Sequence, residues 1–180
     1  ALVLKGDEIA KKYSEQFDNT NMWDGIFGVS ITANQVLAPD ENTTGDLIQE
    51  DSSTGIHAID SVDVGGNTST TYTVSVWVKW KTGTTRNIAI RPFNCTFANK
   101  GVVFASNGSY VQSEGGTNGT IVSYGSSKWN NGWYKFYVTL ATKSTGDSTE
   151  GGPIFYLLSG TSNSYTGDSS SGVYFWGAQL

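Results

Sequence analysis

The chain has 180 residues, a formal net charge of −5, and few charged residues (15%) beside many aromatics (13%) and 22 glycines. This length accommodates one domain with its own core, and the glycine-rich, turn-rich composition is typical of an all-β protein. The sequence is acidic overall and lacks the clusters of basic residues that bind nucleic-acid phosphates. No apolar run is long enough to span a bilayer. We therefore expect neither a nucleic-acid partner nor membrane insertion.

The residues from Gly6 to Phe17 predict a short amphipathic helix or a linker. Ile9, Tyr13 and Phe17 recur every four residues, with acids early and lysines in the middle. That spacing places apolar side chains on one helix face.

Short apolar segments bounded by Gly, Asn, Ser or Pro follow, and we predict a β-strand in each. The predicted strands lie within residues 26–31 (one or two strands), 47–48, 56–59, 71–80, 87–93, 101–105, 109–112, 120–124, 132–142, 154–158 and 172–180. Residues 38–45, with Pro39 and Gly45 as breakers, predict a loop. No helical crossover separates the strands, so their spacing predicts a sandwich or barrel rather than a parallel sheet.

The segment YTVSVWVKW has the clearest alternation in the chain. Val74, Val76 and Val78 occupy every second position, which predicts a half-buried strand with the valines in the core. Trp77 and Lys79 then point outward. A tryptophan beside a lysine on the outer face indicates a surface with a function.

The next apolar segment continues the alternation. Ile88 and Ile90 are expected in the core, which turns Asn87 and Arg91 outward. A tight polar turn around Gly83 joins this segment to the preceding strand, and the two predict a hairpin.

The later segment WYKFYVTL divides into two faces in the same way. The two faces are expected to consist of Tyr134, Phe136, Val138 and Leu140 on one side and Trp133, Lys135, Tyr137 and Thr139 on the other. The second face adds an aromatic ring and a cation to the outer surface.

The sequence contains no catalytic signature. His57 is the only histidine, so a His-ligated metal cluster or a Ser-His-Asp triad has little support, and a structural or surface role is expected. Cys95 is the only cysteine and is expected in or near a strand. The acids fall mostly in predicted loops, and no strand supplies the facing pair that a glycosidase requires. We therefore predict that the protein is not an enzyme. The acids considered are Asp18, Asp24, Asp40, Glu41, Asp46, Glu50, Asp60 and Asp63.

Six segments, taken in order, resemble a domain of tailed-phage tail-fibre and other virion proteins, which is related to carbohydrate-binding modules of the jelly-roll type. The segments are YSEQFDN, APDENTTGDLIQED, STGIHAI, TYTVSVWVKW, NGWYKFYVTL and GVYFWGAQL. The resemblance extends from Tyr13 to Leu180. The opening YSEQFDN and the closing WGAQL are its most specific parts.

The resemblance implies an antiparallel jelly-roll β-sandwich whose first and last strands lie side by side. We accordingly divide the chain into an N-terminal linker or anchor segment, residues 1–12, and a sandwich domain, residues 13–180. The resemblance also implies a module of a virion appendage on the surface of an extracellular particle. It allows a structural calcium ion held by loop acids and names no single ligand. Because the family pattern continues past WGAQL with a Glu, a following segment is expected.

Modules of this type bind sugars by stacking aromatic rings on pyranose faces, while polar side chains fix the hydroxyl groups. We predict a site for a host-surface polysaccharide or glycan at Trp77, Lys79, Arg91, Lys135 and Tyr137. The alternative is that this face is a subunit interface in a structural or decorating module, with other virion proteins or a homo-oligomer as partners. Trp176 is expected in the core or in inter-strand packing.

Overall fold

The computed structural model describes residues 14–96, 98–146 and 151–180. The described residues form thirteen strands: β1 Gly25–Phe27, β2 Val29–Leu37, β3 Thr43–Glu50, β4 Thr54–Asp60, β5 Thr71–Trp80, β6 Asn87–Arg91, β7 Lys100–Phe104, β8 Tyr110–Gly115, β9 Thr120–Lys128, β10 Tyr134–Ala141, β11 Ile154–Leu158, β12 Ser164–Thr166 and β13 Gly172–Gln179. A 3₁₀ turn at Asn130–Gly132 precedes β10. Within these residues, no helix is long and apolar enough to cross a membrane.

The strands form two antiparallel sheets that pack against each other. Sheet 1 has the order β1-β4-β11-β6-β7-β8, with β12 also paired to β4. Sheet 2 has the order β2-β3-β13-β5-β10-β9. The predicted all-β sandwich is therefore confirmed. Most predicted strands match an observed strand to within a few residues, although β12 was missed.

The inward side chains of β5 lie at the centre of the core. Val74, Val76 and Val78 have no exposed surface, as their alternation predicts. They belong to one buried cluster with inward side chains of both sheets, among them Ile88 and Phe136. Each buried valine contributes about 1.5–3 kcal/mol relative to an exposed one, so the core strongly favours this register of β5.

The predicted hairpin between β5 and β6 is wrong, because the two strands lie in different sheets. β5 pairs with β10 and β13 in sheet 2, and β6 pairs with β7 and β11 in sheet 1. The connection between them crosses from one sheet to the other. Trp80 anchors this crossover, since its indole Nε1 donates a hydrogen bond of 2.7 Å to the carbonyl oxygen of Arg86.

The N-terminal segment, one loop and the last strand also differ from prediction. Residues 14–17 form turns and do not end a helix. The rest of the predicted helix and linker, residues 1–13, lies outside the described residues.

β3 begins at Thr43, inside the predicted loop, in agreement with the strand preference of β-branched residues. β13 lies between β3 and β5, and β1 belongs to sheet 1. The first described strand and the last strand are therefore not neighbours.

A buried ion pair closes one end of the sandwich. Glu50 ends β3 with a fully buried side chain. It accepts hydrogen bonds from Arg86 Nε (2.9 Å) and Nη2 (2.7 Å), from the Tyr165 hydroxyl (2.7 Å) and from the backbone N–H of Asp168 (2.8 Å). These contacts join sheet 2 to the crossover and to the segment before β13. The hydrogen bond from Arg86 to Glu50 is the main reason that the arginine pKa is raised.

His57 lies beside this ion pair and is fully buried. Its ring stacks on Tyr165 with centroids 4.4 Å apart, and its Nε2 lies 3.6 Å from Asp51 Oδ1. Neither ring nitrogen has a hydrogen-bond partner in the described part of the chain. Of the two roles expected for this residue, the structural one agrees with its complete burial.

Replacing Glu50 by Gln tests how much the ion pair stabilises the fold. The variant keeps the side-chain shape but leaves the Arg86 guanidinium without its buried counter-charge. We expect the free energy of unfolding to fall by about 3 kcal/mol, because breaking one partner of a buried pair leaves the other uncompensated. Urea denaturation measures this change.

The control is Glu41→Gln, at an exposed position in the turn before β3. It should change stability by less than about 0.5 kcal/mol. Equal effects of the two substitutions would show that the buried ion pair contributes nothing special to stability.

Candidate functional site

Three tryptophans gather on the outward side of sheet 2. Trp77 of β5 lies opposite Trp176 of β13 in the strand register, with ring centroids 6.4 Å apart. Trp129, which follows β9, packs edge-on against Trp77 with centroids 5.7 Å apart. Because the valines of β5 point inward, Trp77 points outward between its two neighbours. We call this surface the tryptophan face and include in it Lys79, Lys135 and Tyr137.

The two predicted residues of β10 extend the tryptophan face. Lys135 lies opposite Trp77 in the register, and its Nζ lies 5.6 Å from the centroid of the indole. At this distance the ammonium group is attracted by the ring. Tyr137 is 38% exposed and lies across Gly125 of β9, where an added Cβ would come within 2.8 Å of the tyrosine ring. Trp129, with 52% of its surface exposed, is the most accessible of the three indoles.

A bulge in β13 adjusts the shape of the face beside Trp77. The register with β5 shifts between Trp176 and Gln179. Gly177 within the bulge has a φ of 60°, and a Cβ there would lie 3.2 Å from the Trp77 ring. A larger residue at this position would be strained and would press against the indole.

A polar cavity borders the tryptophan face. It has a volume of about 480 Å³ and lies between the segment before β1 and strands β2 and β3. Every lining side chain is polar, and Glu15, Asp18 and Asp46 supply carboxyl groups. Thr44 connects the two surfaces, because it lines the cavity and its Oγ1 accepts a hydrogen bond of 3.0 Å from Trp176 Nε1.

The buried carboxylate of Asp46 builds the wall of this cavity. It accepts hydrogen bonds from the backbone N–H groups of Phe17 (2.7 Å) and Asn34 (2.8 Å). Asn34 has a left-handed backbone with a φ of 58°, at the irregularity in β2. Burial raises the pKa of Asp46, while the two N–H donors oppose that rise. Asp46 therefore fixes the position of the N-terminal segment at Phe17.

The structure brings together four of the five predicted site residues. Trp77, Lys79, Lys135 and Tyr137 share the outward side of sheet 2. Arg91 does not join them, because β6 belongs to sheet 1. The prediction of one surface containing all five residues is therefore wrong for Arg91.

Arg91 is instead part of a buried polar contact on sheet 1. Its guanidinium donates to both carboxylate oxygens of Glu114, at 3.2 and 2.7 Å, and to Asn94 Oδ1 at 2.6 Å. It also lies over the ring of Tyr156, 5.1 Å from the centroid. With its donors engaged in this way, Arg91 has a structural role that joins β6 to β8.

The sequence prediction missed two residues of the tryptophan face. For Trp176 a signal was present: if Val173 and Phe175 point inward, Tyr174 and Trp176 point outward. Trp176 is in fact packed between strands, one of the two expected environments, but it is not in the core. Trp129 follows the end of a strand, where no alternation indicates the direction of a side chain.

Of the eight acids named in the sequence analysis, which were expected mostly in loops, three lie in strands. Asp46 and Glu50 belong to β3, and Asp60 ends β4. Among the described residues, no group of three or more His, Cys, Asp or Glu side chains is arranged to hold a metal ion. The described residues thus offer no cluster that fits the calcium ion allowed by the resemblance.

Comparison of the sequence with protein-family models and with curated proteins finds no match. The resemblance to virion domains therefore stays a prediction.

Among the described carboxyl groups, that of Asp60 has its pKa raised close to neutral pH. Burial raises its pKa to about 7, and the nearby Asp24 and Asp63 add to the rise, while a hydrogen bond with Asn94 opposes it. The folded protein therefore keeps this proton up to about pH 7, whereas the unfolded chain loses it near pH 4. Since the folded state binds the extra proton in this window, the contribution of Asp60 to stability falls as the pH rises from 4 to 7.

Replacing Asp60 by Asn should remove this dependence. At pH 8 we expect the variant to be more stable than the wild type by about 1–2 kcal/mol, a value reduced from the full pKa shift because the group is partly solvated. At pH 4 the two proteins should be nearly equal. Denaturant titrations across this range measure the difference.

Glu41→Gln removes a carboxyl group at an exposed position and is the control for the loss of one negative charge. An Asp60→Asn variant whose stability relative to the wild type is the same at every pH would contradict the raised pKa.

Proposed function

We propose that this chain is a non-catalytic carbohydrate-binding module that contacts host-surface glycans as part of a tail fibre or other surface appendage of a tailed phage. The observation that carries the proposal is the tryptophan face, in which three indoles and two lysines share one outward surface of a rigid sheet.

The tryptophan face has the chemistry that sugar binding requires. The C–H groups on one side of a pyranose ring form an apolar surface that packs on an indole. Trp129 offers the most accessible ring, and Trp77 lies next to it at a fixed angle. Lys79 and Lys135 are donors to sugar hydroxyl groups or to anionic substituents. Because the indoles support one another, little conformational entropy is lost when a sugar packs against them.

The polar cavity extends this surface in the direction of β3. Asn19, Asn34 and Glu15 line it with amide and carboxyl groups, which bind hydroxyl groups well. Trp176 and Thr44 join the cavity to the tryptophan face.

The virion setting is supported by the ordered resemblance of the six segments from YSEQFDN to GVYFWGAQL. The same segments contribute Trp77, Lys135 and Trp176 to the tryptophan face. A module that carries an exposed aromatic surface at the tip or side of an appendage would contact the polysaccharides of a host cell. Localisation at the particle surface belongs to the same proposal.

The experiment measures binding of a panel of bacterial cell-surface polysaccharides and their short oligosaccharides, followed by titration of the best ligand. Trp129→Ala should weaken binding about tenfold, which corresponds to about 1.4 kcal/mol of lost stacking. Because Trp129 is half exposed, the fold should tolerate its removal. Tryptophan fluorescence gives an independent readout, since sugar stacking changes the environment of the indole.

The matched control is Phe27→Ala, which removes an aromatic ring of similar exposure (46%) from sheet 1. It should leave the affinity unchanged. A protein that binds no polysaccharide but still assembles with other virion proteins, and loses that assembly in Trp129→Ala, would instead make the tryptophan face a subunit interface. If Trp129→Ala and Phe27→Ala lose binding or assembly equally, the tryptophan face is neither the sugar site nor the subunit interface.

A further inference from the structure

The edge of sheet 2 at β9 is long, exposed and almost uncharged. β9 has nine residues, and among the described residues it pairs with β10 alone. Its sequence, TIVSYGSSK, carries one charge, at Lys128. Val122 is 57% exposed at the point where the register with β10 shifts. The outer side of β9 therefore presents unpaired backbone groups together with apolar side chains.

Apolar side chains continue from this edge across to sheet 1. Tyr124 of β9 stacks on Tyr110 of β8 with centroids 4.7 Å apart, and both rings remain more than a third exposed. Val111, next to Tyr110, is also exposed. The edge strands of both sheets thus carry exposed apolar side chains, which meet at the Tyr110–Tyr124 stack. Contiguous exposed apolar surface of this kind marks an interaction site.

Two other edges of the sandwich, β2 and β1, are protected in ways that β9 is not. β2, the opposite edge of sheet 2, is interrupted by register shifts and by the left-handed Asn34. β1, an edge of sheet 1, has three residues. Proteins usually protect exposed edges with bulges, charges, prolines or short strands. β9 has a single irregularity at Val122 and no charge before its last residue, so its edge is available for pairing.

We propose that β9 pairs antiparallel with β9 of a second copy of this chain, which forms a symmetric dimer with a continuous twelve-stranded sheet. Full overlap of the nine residues centres the pair on Tyr124. Lys128 then lies opposite Thr120 of the other copy, and Val122 lies opposite Ser126. No like charges meet across this seam, and each exposed valine gains a partner.

The size of this contact is sufficient for a dimer. Nine residues at about 3.3 Å each give an edge roughly 30 Å long, and two sheets about 10 Å apart give a strip roughly 20 Å wide with side chains. Such a strip covers about 600 Å² on each copy, or about 1,200 Å² in total, the lower end of the range for specific interfaces.

The dimer also fixes how the two tryptophan faces are arranged. In antiparallel edge pairing the twofold axis is perpendicular to the sheet, so the outward side of sheet 2 is the same side in both copies. Between Trp77 and its counterpart lie β10 and β9 of each copy, which corresponds to five strand spacings, or about 24 Å across the strands. Trp77 is level with Ser127 in the register, three residues from the axis at Tyr124. The two tryptophans are therefore also offset by about 20 Å along the strands, which makes their separation roughly 31 Å. Two sites at this separation could bind one polysaccharide or one surface together. The dimer itself does not depend on sugar binding.

Light scattering over a concentration series tests the proposal. The wild type should have twice the chain mass of 19.3 kDa. Val122→Lys places a charge at an exposed position of the seam and should raise the dimer dissociation constant at least tenfold, giving a monomer over most of the series. Circular dichroism and thermal unfolding check that the variant remains folded.

The matched control is Leu37→Lys, at a side chain of similar exposure (52%) on the opposite edge of sheet 2. It should remain a dimer. A wild type that is a monomer at every concentration, or a trimer or larger, would overturn the proposal. So would a Val122→Lys protein that dimerises as well as the wild type, or a Leu37→Lys protein that dissociates equally.

Monovalent oligosaccharide titrations keep this test separate from that of the proposed function. Val122→Lys should bind a short soluble sugar as the wild type does, because its tryptophan face is intact. Loss of the dimer without loss of sugar binding supports both inferences. Loss of sugar binding in Trp129→Ala, with the dimer retained, supports the tryptophan face independently.

Discussion

The two-residue period of β5, with its valines locked in the core, determines much of the rest of the structure. Val74, Val76 and Val78 are completely buried, and a shift of the strand by one residue would expose all three and bury Trp77 and Lys79 instead. Because β5 lies between β13 and β10, it also fixes the register of both neighbours. The tryptophan face is therefore a consequence of core packing on the other side of the same sheet.

The polar side chains inside the sandwich perform a different task, which is to join segments distant in sequence. Glu50 connects the end of β3 to Arg86 in the crossover and to the segment before β13. Asp46, also on β3, connects Phe17 to the irregularity of β2 at Asn34. Buried carboxylates are costly unless they are hydrogen-bonded, and in both of these residues each carboxylate oxygen accepts at least one hydrogen bond. One strand thus closes the end of the sandwich and positions the wall of the cavity.

The strands could be predicted from the sequence because they depend on local alternation, but their partners could not. β5 and β6 are separated by a short polar turn, which is equally compatible with a hairpin and with a crossover between sheets. The alternation in β6 correctly predicted that Arg91 points away from the core. Because β6 belongs to sheet 1, however, that direction is on the opposite side of the molecule from Trp77. Trp176 could have been found from the phase of β13. Trp129 could not, because its direction depends on the turn between β9 and β10.

If the chain binds glycans as proposed, the tryptophan face and the β9 edge meet different physical requirements of that binding. A flat aromatic surface buries only part of a sugar and excludes little water, so a single site of this kind binds weakly. Affinity for a dense polysaccharide coat is gained more readily by repeating the site than by deepening it, since linked sites raise the effective concentration of the second binding event. A sheet that continues across a twofold axis places both copies of the face on one side without a flexible linker. The open edge of β9, which would otherwise favour aggregation, then provides the second site.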